Sequence, residues 1–167
     1  YLYFWNIAGS WGEITEKVRS GLIVNTTTAL KGQKELQAEY RATLPKMVQK
    51  EADTVVEQLA CERSVRAGKK EYDFLVFPYL AQMQRVILEC RRVMRPGRPF
   101  HMMVSDAALY GVHVPAPQWL SEIMSSIGFT NVSCEKVRDR GHRWVLEKRD
   151  GSKKGLGEYY VFGINSK

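Results

Sequence analysis

Residues 79–106, YLAQMQRVILECRRVMRPGRPFHMMVSD, decide the fold. Leu80, Met83, Ile87, Cys90 and Met94 recur at three- and four-residue spacing, Val86 and Val93 widen the stripe, and Arg85, Glu89, Arg91, Arg92 and Arg95 fall elsewhere. This spacing predicts a helix with one buried face. Pro96 cannot continue the hydrogen-bond ladder and Gly97 accepts a left-handed turn, so the chain is predicted to reverse there. Residues 100–104 form a short apolar run bounded by Pro99 and by Ser105 and Asp106. An almost continuous apolar run predicts an interior strand covered on both faces, as in a parallel α/β sheet.

Downstream, Pro115 and Pro117 open a second predicted helix whose apolar stripe is Trp119, Leu120, Ile123, Met124 and Ile127, with Gly128 as its C-terminal cap. Residues 129–137, 143–147 and 158–164 read as strands, the last rich in Tyr159, Tyr160, Val161 and Phe162. Upstream, helices are predicted over about 34–41 and 44–67, the second mixing Glu51, Asp53, Glu57 and Glu62 with Lys46, Lys50, Arg63 and Arg66.

A chain of 167 residues with 44% hydrophobic content can bury one core, with room for an added helical portion. The net charge of +7 favours an acidic partner, most commonly a polyphosphate. Cys61, Cys90 and Cys134 show no C-x-x-C spacing and fit a reduced intracellular protein. His101, His113 and His142 are too dispersed for a metal site to be proposed. No apolar stretch reaches the roughly 18 residues of a membrane span, so no membrane association is expected.

The string Arg92-Val93-Met94-Arg95-Pro96-Gly97-Arg98, together with Gly128-Phe129, resembles the R-x-L-x-P-G-G and G-F elements of S-adenosylmethionine-dependent methyltransferases with the Rossmann-like fold. Arg98 replaces the second glycine of that pattern. Residues 106–115, DAALYGVHVP, and 138–144, RDRGHRW, look more narrowly like the DNA amino-methyltransferases, which modify the exocyclic amino group of adenine or cytosine. The resemblance implies an α/β fold: the C-terminal half of a Rossmann-like methyltransferase sheet, with helices on both faces, over residues 70–167. A mainly helical insertion over 1–69, a possible DNA-contact region, would precede it.

That family carries a [D/S/N]-P-P-[Y/F] catalytic loop and a glycine-rich cofactor loop, and neither string occurs here. The chain is therefore expected to be the later part of a larger enzyme, completed by a further segment or a partner chain. S-adenosylmethionine would be bound mainly by residues outside it, no catalytic residue is assigned, and these residues alone should bind the donor poorly. Asp106, Tyr110 and His113 follow the carboxyl end of the predicted interior strand, where open α/β sheets bind ligands, and are the candidates for the target-base pocket. Arg138, Arg140, His142, Arg143, Lys148 and Arg149, in a glycine-punctuated basic loop, and Lys31, in a polar loop, are the candidates for nucleic-acid contact.

The leading expectation is a DNA methyltransferase of the bacterial or archaeal cytoplasm, serving restriction-modification, phage defence or related DNA marking. The alternatives are an RNA base methyltransferase and a non-catalytic nucleic-acid-binding subunit of a split methyltransferase.

Overall fold

The computed structural model describes residues 8–26, 32–66, 70–140, 145–147 and 153–166, and for residues 15, 20, 145–147, 153 and 154 the backbone only. The chain is a mixed α/β protein. A short helical turn, α1 (Trp11–Glu13), runs into a π turn over Ile14–Val18 and a 3-10 turn over Arg19–Gly21. Then come α2 (Gln37–Thr43), α3 (Lys46–Val65), α4 (Val76–Val93) and β1 (Pro99–Ser105). A small hairpin, β2 (Ala107–Leu109) and β3 (Val112–Val114), leads to α5 (Ala116–Ser126). The chain closes with β4 (Phe129–Asp139), β5 (Val145–Glu147), β6 (Lys153–Gly155) and β7 (Gly157–Asn165).

Helix α4 begins at Val76, four residues before Leu80, the first residue of its stripe. Pro78 sits in its first turn, where an N–H would have no intrahelical partner, so proline is harmless there. The buried face is Phe77, Leu80, Ala81, Gln84 and Ile87. Val86 and Val93, expected to widen that face, are exposed instead. The reversal falls where Pro96 and Gly97 put it: Gly97 has φ 72° and its N–H donates to the Asn165 carbonyl at 2.8 Å. Asn165, fully buried, also donates its side-chain amide to the carbonyls of Arg91 (3.3 Å) and Met94 (3.2 Å), so the last strand caps the end of α4.

Helix α5 buries Trp119, Leu120, Ile123 and Met124 as its periodicity required. It ends at Gly128, φ 96°, where a Cβ would lie 2.7 Å from Arg91 Nη2. The cores of the two predicted portions are one: Tyr40, Leu44, Val48, Ala52 and Leu59 share a continuous apolar cluster with Leu80, Ile87, Trp119, Ile123 and Val161. At about 1.5–3 kcal/mol for each large apolar side chain withdrawn from water, this shared cluster outweighs any surface ion pair in joining them.

The main sheet has the order β1-β7-β4, with β7 antiparallel to both neighbours, so β1 and β4 run in the same direction. The expectation of an interior parallel strand at residues 100–104 is corrected. Among the described residues β1 is an edge strand, bonded to β7 alone and antiparallel to it. Its side chains alternate: Phe100, Met102 and Val104 pack on the core, whereas His101 and Met103 are exposed. Alternation of this kind marks a strand covered on one face. Helices on both faces were expected, but α5 packs on the face that carries Val161 and Gly163, and the opposite face bears His101, Met103, Tyr160 and Phe162. There His101 lies against the rings of both Tyr160 and Phe162.

Candidate functional site

At the carboxyl end of β1 a cavity of about 190 Å³ opens between the start of α4, the β2–β3 hairpin, the start of α5 and the segment 24–26. Tyr79 and Trp119 supply its aromatic walls, and Leu75, Leu80, Leu109 and Val114 most of the aliphatic surface. Asn25, Thr26 and Ser105 are its polar lining residues, and among the described residues no ionisable acid or base other than Tyr79 lines it. Segment 24–26 is pinned to α4 by the Val24 N–H, which donates to Gln82 Oε1 at 2.8 Å. Gln82 in turn donates to Gln33, which accepts from the Tyr40 hydroxyl at 2.8 Å.

Two of the aromatic groups are tuned differently. Trp119 is buried and spends its indole N–H on Glu51 Oε2 at 2.8 Å, leaving only its ring for the cavity. Tyr79 is removed from water, which pushes its phenol pKa above the ordinary value and keeps it a neutral hydroxyl. The Tyr79, Thr26 and Ser105 hydroxyls make no hydrogen bond to another described residue.

The predicted pocket residues lie elsewhere. Asp106 is 1% exposed, and its carboxylate accepts the Gly157 N–H at 2.7 Å and pairs with His113 Nε2 at 2.8 Å. Tyr110 forms the hairpin tip with Gly111; both have positive φ, 50° and 81°, as the type I′ turn between paired strands requires. The Tyr110 hydroxyl donates to the Lys70 carbonyl at 2.9 Å, while its ring rests on Tyr72 and under the Arg66 guanidinium. Asp106 and His113 are thus brought together, and Tyr110 stands apart from them in contacts that tie the hairpin to Arg66, Lys70 and Tyr72. All three are positioned to hold the hairpin in place, and none lines the 190 Å³ cavity.

Strand alternation explains the difference. Ser105, Ala107 and Leu109 turn to the cavity, and Asp106, one residue out of step, turns away. His113 faces a second, polar cleft of about 350 Å³ with Gln58, Cys61 and Glu62 of α3. Among the described residues no cluster of three or more His, Cys, Asp or Glu is arranged to hold a metal ion. Sequence reasoning missed Tyr79 and Trp119 as a site, and singled out residues 24–26 only as part of the polar 20–34 stretch suited to phosphates and base edges. The available signal was the placement of Ser105 at a strand terminus, which implicates every second residue after it.

Of the nominated cations, Lys31, His142, Arg143, Lys148 and Arg149 lie outside the described residues. Arg138 is tied across the sheet to Glu158 at 2.6 Å, a contact that raises its pKa further. Arg140 anchors the strand end through its backbone N–H, which donates to the Leu156 carbonyl at 2.8 Å. Lys136 pairs with Asp139 on the same strand. No described helix is long and apolar enough to cross a membrane. No family model, curated protein or solved structure matches the chain.

Proposed function

We propose that these residues form the carboxyl-terminal part of an S-adenosylmethionine-dependent DNA methyltransferase acting on the exocyclic amino group of adenine or cytosine. The observation that carries this reading is a neutral, aromatic-walled cavity at the carboxyl end of β1. β1 reaches β4, which runs the same way, through a hairpin and α5. A helical crossover between strands of equal direction is the connection of doubly wound α/β sheets, and those sheets bind ligands outside the carboxyl ends of their strands. The Rossmann-like element of the proposal rests on that connection and on the motifs at residues 92–98 and 128–129.

The outer edge of β1, unpaired among the described residues, adds support. Apart from Pro99 at its start it carries no inward charge and no bulge, devices by which edges are commonly blunted. A sheet that continues past β1 accounts for this, and the continuing strands are where the absent donor and catalytic loops belong. The residues described do not fit S-adenosylmethionine themselves. The cavity is smaller than the ~300 Å³ at which pockets begin to enclose drug-sized ligands, and no glycine-rich loop accompanies it. This chain's own part is then to shape the space into which a base is withdrawn from the duplex, since its amino group cannot be reached inside the stack.

The test is methyl transfer from labelled S-adenosylmethionine to duplex DNA by the complete reading frame containing residues 1–167, followed by nucleoside analysis. Label in N6-methyladenine or N4-methylcytosine is expected. Label confined to RNA or to a ring carbon, or no transfer at all, would remove the proposal.

A further inference from the structure

We infer that the turn between α4 and β1 is a phosphate-binding site, at which Arg91, Arg95 and Arg98 hold the backbone of a nucleic-acid duplex at the end of the sheet opposite the cavity. One residue gathers the three arginines. The Asn165 side-chain amide donates to the carbonyls of Arg91 at 3.3 Å and Arg95 at 3.5 Å, and its backbone N–H donates to the Arg98 carbonyl at 3.0 Å. Gly97, in the left-handed region, closes the turn against the Asn165 carbonyl. The three side chains therefore start from one fixed stretch of main chain.

Their charge is uncompensated. Arg92 pairs with Glu89, but among the described residues no carboxylate or other acceptor engages the side chain of Arg91, Arg95 or Arg98. Arg95 and Arg98 are exposed. Arg91 is half-buried and lies against Gly128, where a Cβ would meet its Nη2 at 2.7 Å, and its Nε is closed to water without a partner. A guanidinium that has given up hydration without gaining a counter-charge favours an anion on its remaining N–H groups. The attraction of cations to a helix C-terminus accounts for Arg91 and Arg92, in the last turn of α4. It does not account for Arg95 and Arg98, which lie beyond that end.

An arginine fork matches a carboxylate or a phosphate. Three forks within reach of one residue call for negative charges at short, regular intervals, and a nucleic-acid strand carries one for each ~3.4 Å of helix axis. The net charge of +7 adds to the attraction. β1 has seven residues, which puts roughly 20 Å between this turn and the cavity. The site is thus separate from the nucleotides around the cavity, reads no sequence, and does not rest on the methyltransferase reading.

Fluorescence anisotropy of a labelled DNA duplex with the whole chain, from about 50 to about 200 mM salt, tests the site. Arg95→Gln/Arg98→Gln should bind more weakly than wild type, with a logarithmic salt slope shallower by about 1.8, two lost phosphate contacts at ~0.9 each. Arg91→Gln should make it shallower by about 0.9. The double variant alters exposed side chains only, so its result stands even if Arg91→Gln does not fold. An unchanged slope in the double variant, no duplex binding by wild type at the lowest salt, or binding of a poly-glutamate peptide in place of the duplex overturns the inference. A shallower slope without methyl transfer by the complete reading frame would keep the site and discard the methyltransferase reading. Methyl transfer with an unchanged slope would do the reverse.

Discussion

Asp106 and Gly157 hold each other twice: the Gly157 N–H donates to Asp106 Oδ1 at 2.7 Å, and the Asp106 N–H donates to the Gly157 carbonyl at 3.3 Å. The ring they close joins the end of β1 to the start of β7. A side chain at position 157 would force Lys136 and Tyr159 to shift, since a Cβ there would lie 2.8 Å from both Lys136 Cε and Tyr159 Cε2. The second Asp106 oxygen holds His113, so one buried carboxylate fixes the main sheet to the hairpin.

Asp106→Ala leaves the buried Gly157 N–H without its acceptor and takes the partner from the His113 ring, whose side chain is 29% exposed and can turn to water. The buried loss costs about 1–3 kcal/mol, read as a fall in the urea midpoint at unchanged slope. Asp106→Asn keeps one oxygen and a polar neighbour for His113, and its fall should be the smaller. Equal midpoints for wild type and Asp106→Ala would exclude this role.

Gly163→Ala tests how closely α5 approaches β7. A Cβ at that position would lie 2.8 Å from Met124 Cε, 3.2 Å from Phe129 Cβ and 3.3 Å from Val132 Cγ2. The methionine end can move but the other two are anchored, so a loss of about 1–3 kcal/mol is expected. Thermal unfolding of Gly163→Ala beside Gly163→Ala/Met124→Ala separates the contributions. The second change should recover only part of the strain, and it carries its own cavity cost.

Much of the secondary structure was readable because its signals are local. The stripes of α4 and α5, the stop at Pro96–Gly97 and the cap at Gly128 each depend on residues within a turn or two of each other. The β2–β3 hairpin was not readable: three-residue strands show no period, and Tyr110-Gly111 lacks the Asn-Gly or Asp-Gly pair that marks a type I′ turn. The edge position of β1 depends on Gly157–Asn165, more than fifty residues away, which no local pattern reports. For the site, the strand end was found but the register was not. Asp106 attracts notice by its charge, although one step of alternation turns it from the cavity that Ser105 faces.

Asp53 titrates with a signature that can be checked. Its hydrogen bond and ion pair with Arg41, at 2.8 Å and 2.7 Å, hold its pKa below the ordinary aspartate value. A carboxyl lowered on folding adds stability above its unfolded pKa and loses it as pH falls through the folded one. Both partners are more than a third exposed, so a few tenths of a kcal/mol is the expected scale. Asp53→Asn should therefore be slightly less stable than wild type at neutral pH, with the gap closing in acid. A gap that persists below the carboxylate range would assign the effect to packing.

Arg138 and Glu158 face each other across β4 and β7, and the carboxylate occupies a guanidinium that a phosphate would otherwise engage. If this end of the sheet follows a nucleic-acid backbone, Glu158→Gln should tighten duplex DNA binding and Arg138→Ala should weaken it. The logarithmic salt slope for Arg138→Ala should become shallower by about 0.9, the value of one lost phosphate contact. Fluorescence anisotropy across a salt series reads both, and identical slopes for the three proteins would take Arg138 out of the interface.

The order of the main sheet also bears on how the chain is made. Among the described residues β7 lies between β1 and β4, yet it leaves the ribosome after both of these neighbours. Until it arrives, β1 and β4 have no shared partner, and α4 lacks the Asn165 amide that caps it. Nascent chains halted before residue 157 should therefore stay chaperone-bound and protease-sensitive, and emergence of residues 157–165 should close sheet and helix in a single step.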